Sequence, residues 1–568
     1  MGDGTSPQMP TFAIGECFRA MFTMPYGIIG IAICVLVLGL LVFMVMRMGF
    51  GDKGEYDRNR NLIYSNKGTY GTAGFMPEKE ISEVLDVVSD VRKHTGTILG
   101  KLNGKAICVP KETRLNANIA VYGASGSMKT RAFCINRILQ SAARGESLII
   151  TDPKSELYEK TSEYLRSKGY VVKVFNLVSP ESSDSWNCLC EIEGDELMAQ
   201  LFCDVIIKNT GSERGDHFWD NAEMNLLKAL VLYVEQGYPS DRKNIGEVYR
   251  LLTLNSENEL NTLFDISHPA KAPYVIFKQA SETVRTGVII GLGSRLQVFQ
   301  NSKVKSITAY DEIDLELPGK QPCAYYCITS DQDSTFDFLS SLFLSFVFIK
   351  LVRYADKNCE GGKLPVPVHV LGEELTACGV IPDLSRKISV IRSRNISMSC
   401  VFQNLAGLQN RYPYNQWQEI LGNSDIQLFL GCVDELTAKY ISDRAGEVSI
   451  SVTSKAKQLG TWRVSDYTPE YRETSGVGKR KLLTMDEVLR LPINQALIII
   501  RGRKVLQVDK YDYTCHPEAD KLVMCKASEH IPEWVKRPKT TEKETQEQPP
   551  KKEKKKVVPT GKDSVMSD

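Results

Sequence analysis

An excess of charge of either sign is missing from this sequence: 70 Lys and Arg residues stand against 69 Asp and Glu in 568 residues, a formal net charge of +1 at pH 7. No global basic field advertises nucleic acid, so any contact with DNA has to be local, for instance a ring of loops in an assembly. Paired metal or redox cysteines are missing too. The 15 cysteines are scattered, none stands in a Cys-x-x-Cys pair, and there are only 6 histidines, which argues against zinc and dithiol chemistry. Cys134, Cys327, Cys400 and Cys432 lie inside apolar runs, where a reduced thiol serves as a small hydrophobe, a usage that fits a reducing cytosol.

Charge is also absent from one whole stretch. Tyr26 to Met46 holds no charged side chain and is almost entirely apolar, and about twenty such residues cross a membrane as one helix. The run exceeds the apolar region of a secretory signal, and no small-residue cleavage pattern follows Met46. Arg47, Lys53, Arg58 and Arg60 crowd its downstream side against Arg19 upstream. Positive charge stays inside, which predicts a single-pass cell-membrane protein with its large C-terminal part in the cytoplasm.

Beyond that anchor, Asn118-Ile-Ala-Val-Tyr-Gly-Ala-Ser-Gly-Ser-Met-Lys-Thr130 runs from an apolar β-type segment into a loop of small residues. A strand at Ile119 to Tyr122 and a helix from Arg131 to Ala143, closed by Gly145, would make this a phosphate-binding loop. The backbone N–H groups of Gly123, Ala124, Ser125, Gly126, Ser127, Met128, Lys129 and Thr130 would face the phosphates at the helix's positive end. Lys129 would supply a point charge to the β- and γ-phosphates of ATP, and the Thr130 hydroxyl a ligand for Mg2+. Met128 occupies a position where close backbone approach favours glycine.

A second apolar run, Glu146 to Lys154, a helix to Ser167 and a run from Tyr170 to Leu177 extend the alternation of strand and helix, as in a parallel sheet with ligands at the carboxyl ends of its strands. From about Ser185 to Ser302 only helical periodicity is present, including Asn187 to Thr210, Asp216 to Tyr233 and Ser281 to Phe299. Phe218 and Trp219 are expected in the core of this insertion. Glu78 to His94 also reads as a helix. The α/β pattern returns at Cys323 to Thr329 and a helix from Phe336 to Tyr354, and Val366 to Glu374 predicts a strand ending in two acids. Glu373 would hold Mg2+ through water, and Glu374 would orient or deprotonate the attacking water. A helix from Ser385 to Arg394 presents Arg392 and Arg394, candidates for stabilising γ-phosphate charge, often from a neighbouring subunit. The strand Ser397 to Phe402 ends at Gln403, a candidate γ-phosphate sensor. Further strands at Ile426 to Leu430 and Ala496 to Arg501 finish the sheet.

These blocks together resemble the type IV coupling protein family, the TraG/TraD-like ATPases of conjugation, in its Gram-positive mobile-element branch. The resemblance rests on Asn118 to Thr130, Leu148 to Glu156 with Val174 to Leu177, Leu371 to Leu375 with Gly379 to Asp383, and Ile391 to Arg394 leading to Gln403. Lys481 to Glu487 and Ile500 to Gly502 with Lys510 to Tyr513 also look familiar for that branch. It implies an α/β fold: a RecA-like P-loop nucleotide-binding domain with an inserted all-α domain, preceded by a transmembrane helix. The expected limits are 1–50 for the N-terminal segment with its helix at about 26–46, 51–184 and 303–535 for the two parts of the RecA-like domain, and 185–302 for the insertion. The remaining 536–568 is a Lys/Glu/Pro-rich tail too poor in large apolar residues to fold. The resemblance further implies a homo-hexamer at the membrane that takes a relaxase bound to single-stranded DNA to the proteins of a type IV secretion channel, using ATP and Mg2+. Two positions depart from the family's pattern: Met128 stands for a glycine and Glu373 for an aspartate. A carboxylate displaced by about 1 Å can slow a reaction on the order of 100-fold. Two other readings remain, an FtsK-like double-stranded DNA translocase and a non-hydrolysing docking platform for secretion cargo.

Overall fold

The structure, a computed structural model, describes residues 15, 16, 19, 23, 24, 26–49, 54–58, 60–210, 217–264, 268–330, 334–457 and 471–536. The Lys/Glu/Pro-rich tail from residue 537 onward lies outside the described residues.

Tyr26–Gly49 forms one helix, and its stretch Gly27–Met44 has a mean hydropathy of 3.0 with nearly every side chain exposed. Eighteen residues at 1.5 Å per residue rise about 27 Å, close to the thickness of a bilayer's hydrocarbon core. A second helix of similar length, Asp337–Asn358, passes the same length and hydropathy test but is 78% buried. That burial identifies it as a core helix, wedged against the sheet.

Among the described residues, twelve strands form one sheet in the order Asp86–Val88, Lys105–Cys108, Ile98–Leu102, Leu506–Asp509, Gln495–Ile500, Ile426–Phe429, Ile119–Tyr122, Ile396–Phe402, Val368–Gly372, Ser147–Thr151, Cys323–Ile328, Val171–Asn176. The last seven run parallel. Their sequences are mostly apolar because helices cover both faces, with Lys173, His369, Ser397, Ser399 and Gln427 as polar interruptions. Ala120 and Tyr122 belong to one core and Ile119 and Val121 to the other, the period of two that a pleated strand imposes. The first five strands are antiparallel and close the other half of the sheet.

This antiparallel wing departs from the sequence reading. The helix expected over Glu78 to His94 ends at Val84, and Asp86–Val88 is a strand paired with Lys105–Cys108. Val87 and Val88 are β-branched and suit a pleated surface better than a helix. The turn between Ile98–Leu102 and Lys105–Cys108 is Asn103-Gly104, with φ of 50° and 78°, the pairing that tight hairpins require.

Between Val171–Asn176 and Cys323–Ile328 the regular structure is helical throughout, with Glu196–Thr210, His217–Gly237 and Glu282–Leu296 as its longest members. The helix expected from Asn187 begins only at Glu196, after a 3-10 turn at Cys190–Ile192. Phe218 and Trp219 correct the sequence reading. They are 55% and 38% exposed, stacked edge to face on each other at 5.6 Å, because the buried face of their helix starts further on, at Glu223, Leu226 and Leu227. The ring that does anchor the insertion is Trp186. It is fully buried among Phe175, Phe343 and Phe346, and its indole N–H donates to Glu191 at 3.0 Å.

A second sheet joins Glu55–Asp57 and Leu62–Tyr64 to a long hairpin, Glu447–Lys457 with Tyr471–Lys481, through the pair Ile450 and Tyr64. Residues just after the apolar helix are thereby tied to a segment almost 400 positions later.

Trp186→Ala is expected to cost about 3–5 kcal/mol, and Trp219→Ala under about 1 kcal/mol because its ring already touches water. Chemical denaturation of the detergent-solubilised chain measures both, and equal shifts would refute this placement of the core.

Candidate phosphate-binding site

The strand Ile119–Tyr122 lies in the middle of the sheet, and its loop is pinned on both sides. Gly123 N donates to the Phe402 carbonyl at 3.1 Å and Ala124 N to the Gly431 carbonyl at 2.9 Å. A Cβ on Gly123 would stand 2.6 Å from the Lys129 side chain and collide with the Ser127 hydroxyl, so any other residue there would force both side chains to shift. Gly126 and Met128 both take positive φ, 77° and 67°. Met128 therefore adopts the left-handed backbone that a glycine would take freely, at a cost of roughly 1–2 kcal/mol. The chain enters its helix through a widened turn, Thr130–Cys134, continues as Ile135–Arg144, and ends on Gly145 at φ 70°.

Two strands away, Val368–Gly372 delivers Glu373 and Glu374 to the same edge. The Thr130 hydroxyl donates to Glu373 Oε1 at 2.7 Å. Lys129 Nζ donates to the Gly123 carbonyl at 2.6 Å and lies 4.0 Å from Glu374 Oε2. Thr151 Oγ1 donates to the Glu373 carbonyl at 2.7 Å, which fixes the backbone of the acidic pair. Glu374 itself has φ 53°, and Ser155, between the cavity-lining Lys154 and Glu156, φ 60°. Three strained non-glycine residues around one cavity mark a place where geometry outranks backbone comfort.

The cavity measures about 650 Å³ and is lined by the loop from Ala124 to Thr130, by Arg131 and Lys154, by Glu373 and Glu374, and by Gln403. Its electrostatics are dominated by burial. Desolvation pushes Glu373 up to about 8, with the nearby Asp152 carboxylate raising it further and the Thr130 hydrogen bond opposing. Asp152 is fully buried and pushed up to about 7, although backbone N–H groups favour its charge. Its Oδ2 accepts from Tyr158 N at 2.7 Å, while among the described residues Oδ1 has no hydrogen-bond partner. Burial lowers Lys129, and Glu374 partly restores it.

Of the residues singled out in the sequence, Ala124 to Thr130, Glu373, Glu374 and Gln403 share this cavity, and Gly123 immediately precedes its lining loop. Arg392 and Arg394 do not. They precede the strand Ile396–Phe402, whose seven residues carry the chain about 23 Å before Gln403. Arg394 pairs with Asp356 at 3.0 Å, and Arg392 Nη2 donates to the Arg114 carbonyl at 3.1 Å. A parallel strand places its start and its end at opposite sheet edges, so these arginines are remote from the loop of their own chain.

The sequence reading missed the support beneath the loop, supplied by Lys510, Tyr511 and Asp512. Lys510 is buried against the carbonyls of Ser127 and Leu430. Its only sequence signal was a familiar-looking stretch without an evident task.

The raised carboxylates set a pH dependence. Glu373 and Asp152 hold their protons to about 8 and 7 when folded, against about 4.3 and 3.9 in an unfolded chain. The folded state binds more protons between those limits, so its stability falls as pH rises through that window. With metal chelated, the thermal midpoint is expected to decline from pH 6 to pH 9, and Glu373→Gln to flatten the decline. A midpoint that rises over this range would contradict the assignment.

The sequence model of the family described as "Type IV secretory system Conjugative DNA transfer" matches residues 76–548. The protein VirD4 of Rhizobium rhizogenes and that of Agrobacterium fabrum are each 23% identical over 397 residues, 67% of this chain and 56% of theirs, so the match spans about half the length of these curated relatives. Among solved structures, the bacterial conjugative coupling protein TrwBdeltaN70 in its unbound monoclinic form gives a TM-score of 0.58 at 14% identity, covering 81% of this chain and 97% of that one. Plasmid coupling protein TrwB in complex with ADP and Mg2+ gives 0.57 at 14% identity, covering 78% and 96%. At that identity the likeness is one of fold: a RecA-like P-loop domain with an all-helical insertion. With most of its length matched by the family's model, the chain belongs to the type IV secretory system conjugative DNA transfer family, the coupling proteins.

Proposed function

We propose that this protein is a membrane-anchored coupling ATPase that brings a relaxase bound to single-stranded DNA to a type IV secretion channel and drives its transfer with ATP. The observation that carries this reading is the 2.7 Å hydrogen bond from Thr130 to Glu373, which joins the loop and the acidic strand end around one cavity. TrwB, which shares the fold, is described in complex with an ATP analogue and with ADP and Mg2+, and the family is named for conjugative DNA transfer.

The residues fit both groups. A side chain at Gly123 would displace those of Ser127 and Lys129, so glycine leaves the loop free to close on phosphate, and about 650 Å³ lies within the usual range of ligand pockets, about 300–1,000 Å³. The Thr130 hydroxyl and Glu373 carboxylate are hard oxygen donors suited to Mg2+. Magnesium, when bound, neutralises charge on the phosphates. Lys129 leaves the Gly123 carbonyl to meet the β- and γ-phosphates. Glu374 orients or deprotonates the attacking water, and Gln403 hydrogen-bonds the γ-phosphate. Because Arg392 and Arg394 sit at the far sheet edge, their role in charge stabilisation is assigned to the neighbouring subunit's cavity in a homo-hexamer. The apolar helix over Gly27–Met44 anchors the assembly, with the large C-terminal part cytoplasmic.

The detergent-solubilised chain is expected to hydrolyse ATP faster with single-stranded DNA, and Lys129→Ala or Glu374→Gln to slow turnover at least on the order of 100-fold. Equal turnover in wild type and Lys129→Ala would leave only a docking platform, and stimulation by duplex DNA alone would indicate a double-strand translocase. In cells, deleting the gene is expected to abolish DNA transfer while leaving excision of the mobile element intact.

A further inference from the structure

A second lysine lies under the loop. Lys510 follows the strand Leu506–Asp509, is only 5% exposed, and donates from its ammonium to the carbonyls of Ser127 at 2.9 Å and Leu430 at 2.7 Å. Burial alone pushes it down to about 8. The two residues that follow grip the helix after the loop: Asn136 donates to the Tyr511 carbonyl at 2.8 Å, and Arg131 Nε to Asp512 at 2.9 Å. Leu430 immediately precedes Gly431, whose carbonyl accepts from Ala124 N. Lys510 thus ties the loop to the Leu430–Gly431 segment that supports it from one side.

The peptide between Ser127 and Met128 shows what this tie accomplishes. In a planar trans peptide the carbonyl and the N–H point in opposite directions. With the Ser127 oxygen held beneath the loop by Lys510, the Met128 N–H is directed to the cavity side. That arrangement needs the positive φ of Met128, 67°, a region costly for any residue with a Cβ. Rotating the peptide would relieve Met128 but would turn the Ser127 oxygen toward the cavity, where it would repel an anion. A glycine in place of Met128 would face no such choice.

We propose that Lys510 is a positioning residue of the phosphate loop, which holds the Ser127–Met128 peptide in its anion-binding orientation where a glycine would hold it unaided. The proposal rests on the cavity being the nucleotide site. It also accounts for how the loop accommodates Met128: the constraint is supplied from a strand end almost 400 residues away.

The test compares Lys510→Met in two backgrounds, wild type and Met128→Gly, by binding of a fluorescent ATP analogue with magnesium to the full chain in detergent. Lys510→Met is expected to weaken binding at least about tenfold in the wild-type background, and much less in the Met128→Gly background. Unchanged binding in Lys510→Met, or an equal loss in both backgrounds, overturns the proposal. If Lys510→Met does not fold, the double variant decides: folded and binding, it supports the proposal; unfolded, it shows that the lysine serves the fold rather than the loop. Lys129→Ala separates the proposal from its premise. Loss of binding there with normal binding in Lys510→Met refutes the proposal alone, whereas equal binding in wild type and Lys129→Ala removes the nucleotide site and the proposal with it.

Discussion

A parallel sheet brings the carboxyl ends of all its strands to one edge, and the hydrogen bond from Thr130 to Glu373 exists because of that rule. The strands Ile119–Tyr122 and Val368–Gly372 are separated by a single strand, Ile396–Phe402. Neighbouring strands lie about 4.8 Å apart, so residues 243 positions apart in sequence meet across roughly 10 Å of sheet. The helical insertion between them costs little in this geometry, because it leaves and re-enters at Val171–Asn176 and Cys323–Ile328, which are themselves paired neighbours. Any change that slipped the Val368–Gly372 register would move both acids away from the loop together.

Around that edge the chain gathers several features that each oppose folding. Asp152, Glu373 and Lys510 are buried ionisable groups whose charged forms burial opposes, and Met128, Ser155 and Glu374 hold left-handed backbone. Each of these features is destabilising alone, and together they require a scaffold that over-determines their positions. The fully buried strands beneath supply it.

The segment after the last strand extends the same logic. Asp512 pairs with Arg131 behind the loop, Cys525 N donates to the Glu159 carbonyl, His530 meets Asp184 at 3.1 Å, and the Trp534 indole donates to the Ser183 carbonyl at 2.8 Å. One strap therefore runs from the phosphate loop over the outer helices to the residues that open the helical insertion. Ser183 and Asp184 in turn close the sheet edge through Asn176 and Val174. The loop and the base of the insertion are parts of one hydrogen-bonded surface.

The apolar helix, the alternation of strand and helix, the change to pure helix after Val171–Asn176, and the loop from Gly123 to Thr130 were all legible in the sequence. They are local patterns: apolar run length, hydrophobic period and small residues at a strand's end. The antiparallel wing was legible only in part, since Asn103-Gly104 announces a hairpin but its three strands are short and carry little periodicity, with Ala106 and Cys108 buried on one face and Ile107 on the other. Phe218 and Trp219 misled because an aromatic residue on an amphipathic helix does not state where its neighbours end. Arg392, Arg394 and Lys510 required tertiary structure, for one physical reason. Strand order and direction determine which ends of distant segments share an edge, so charge type alone places neither an arginine at the far edge nor a lysine beneath the loop. The sequence by itself determined which segments carry a small-residue loop and paired acids, because those are local patterns; the packing of the sheet decided that they line one cavity with Lys510 buried beneath the loop, because strand order and direction set which strand ends share an edge.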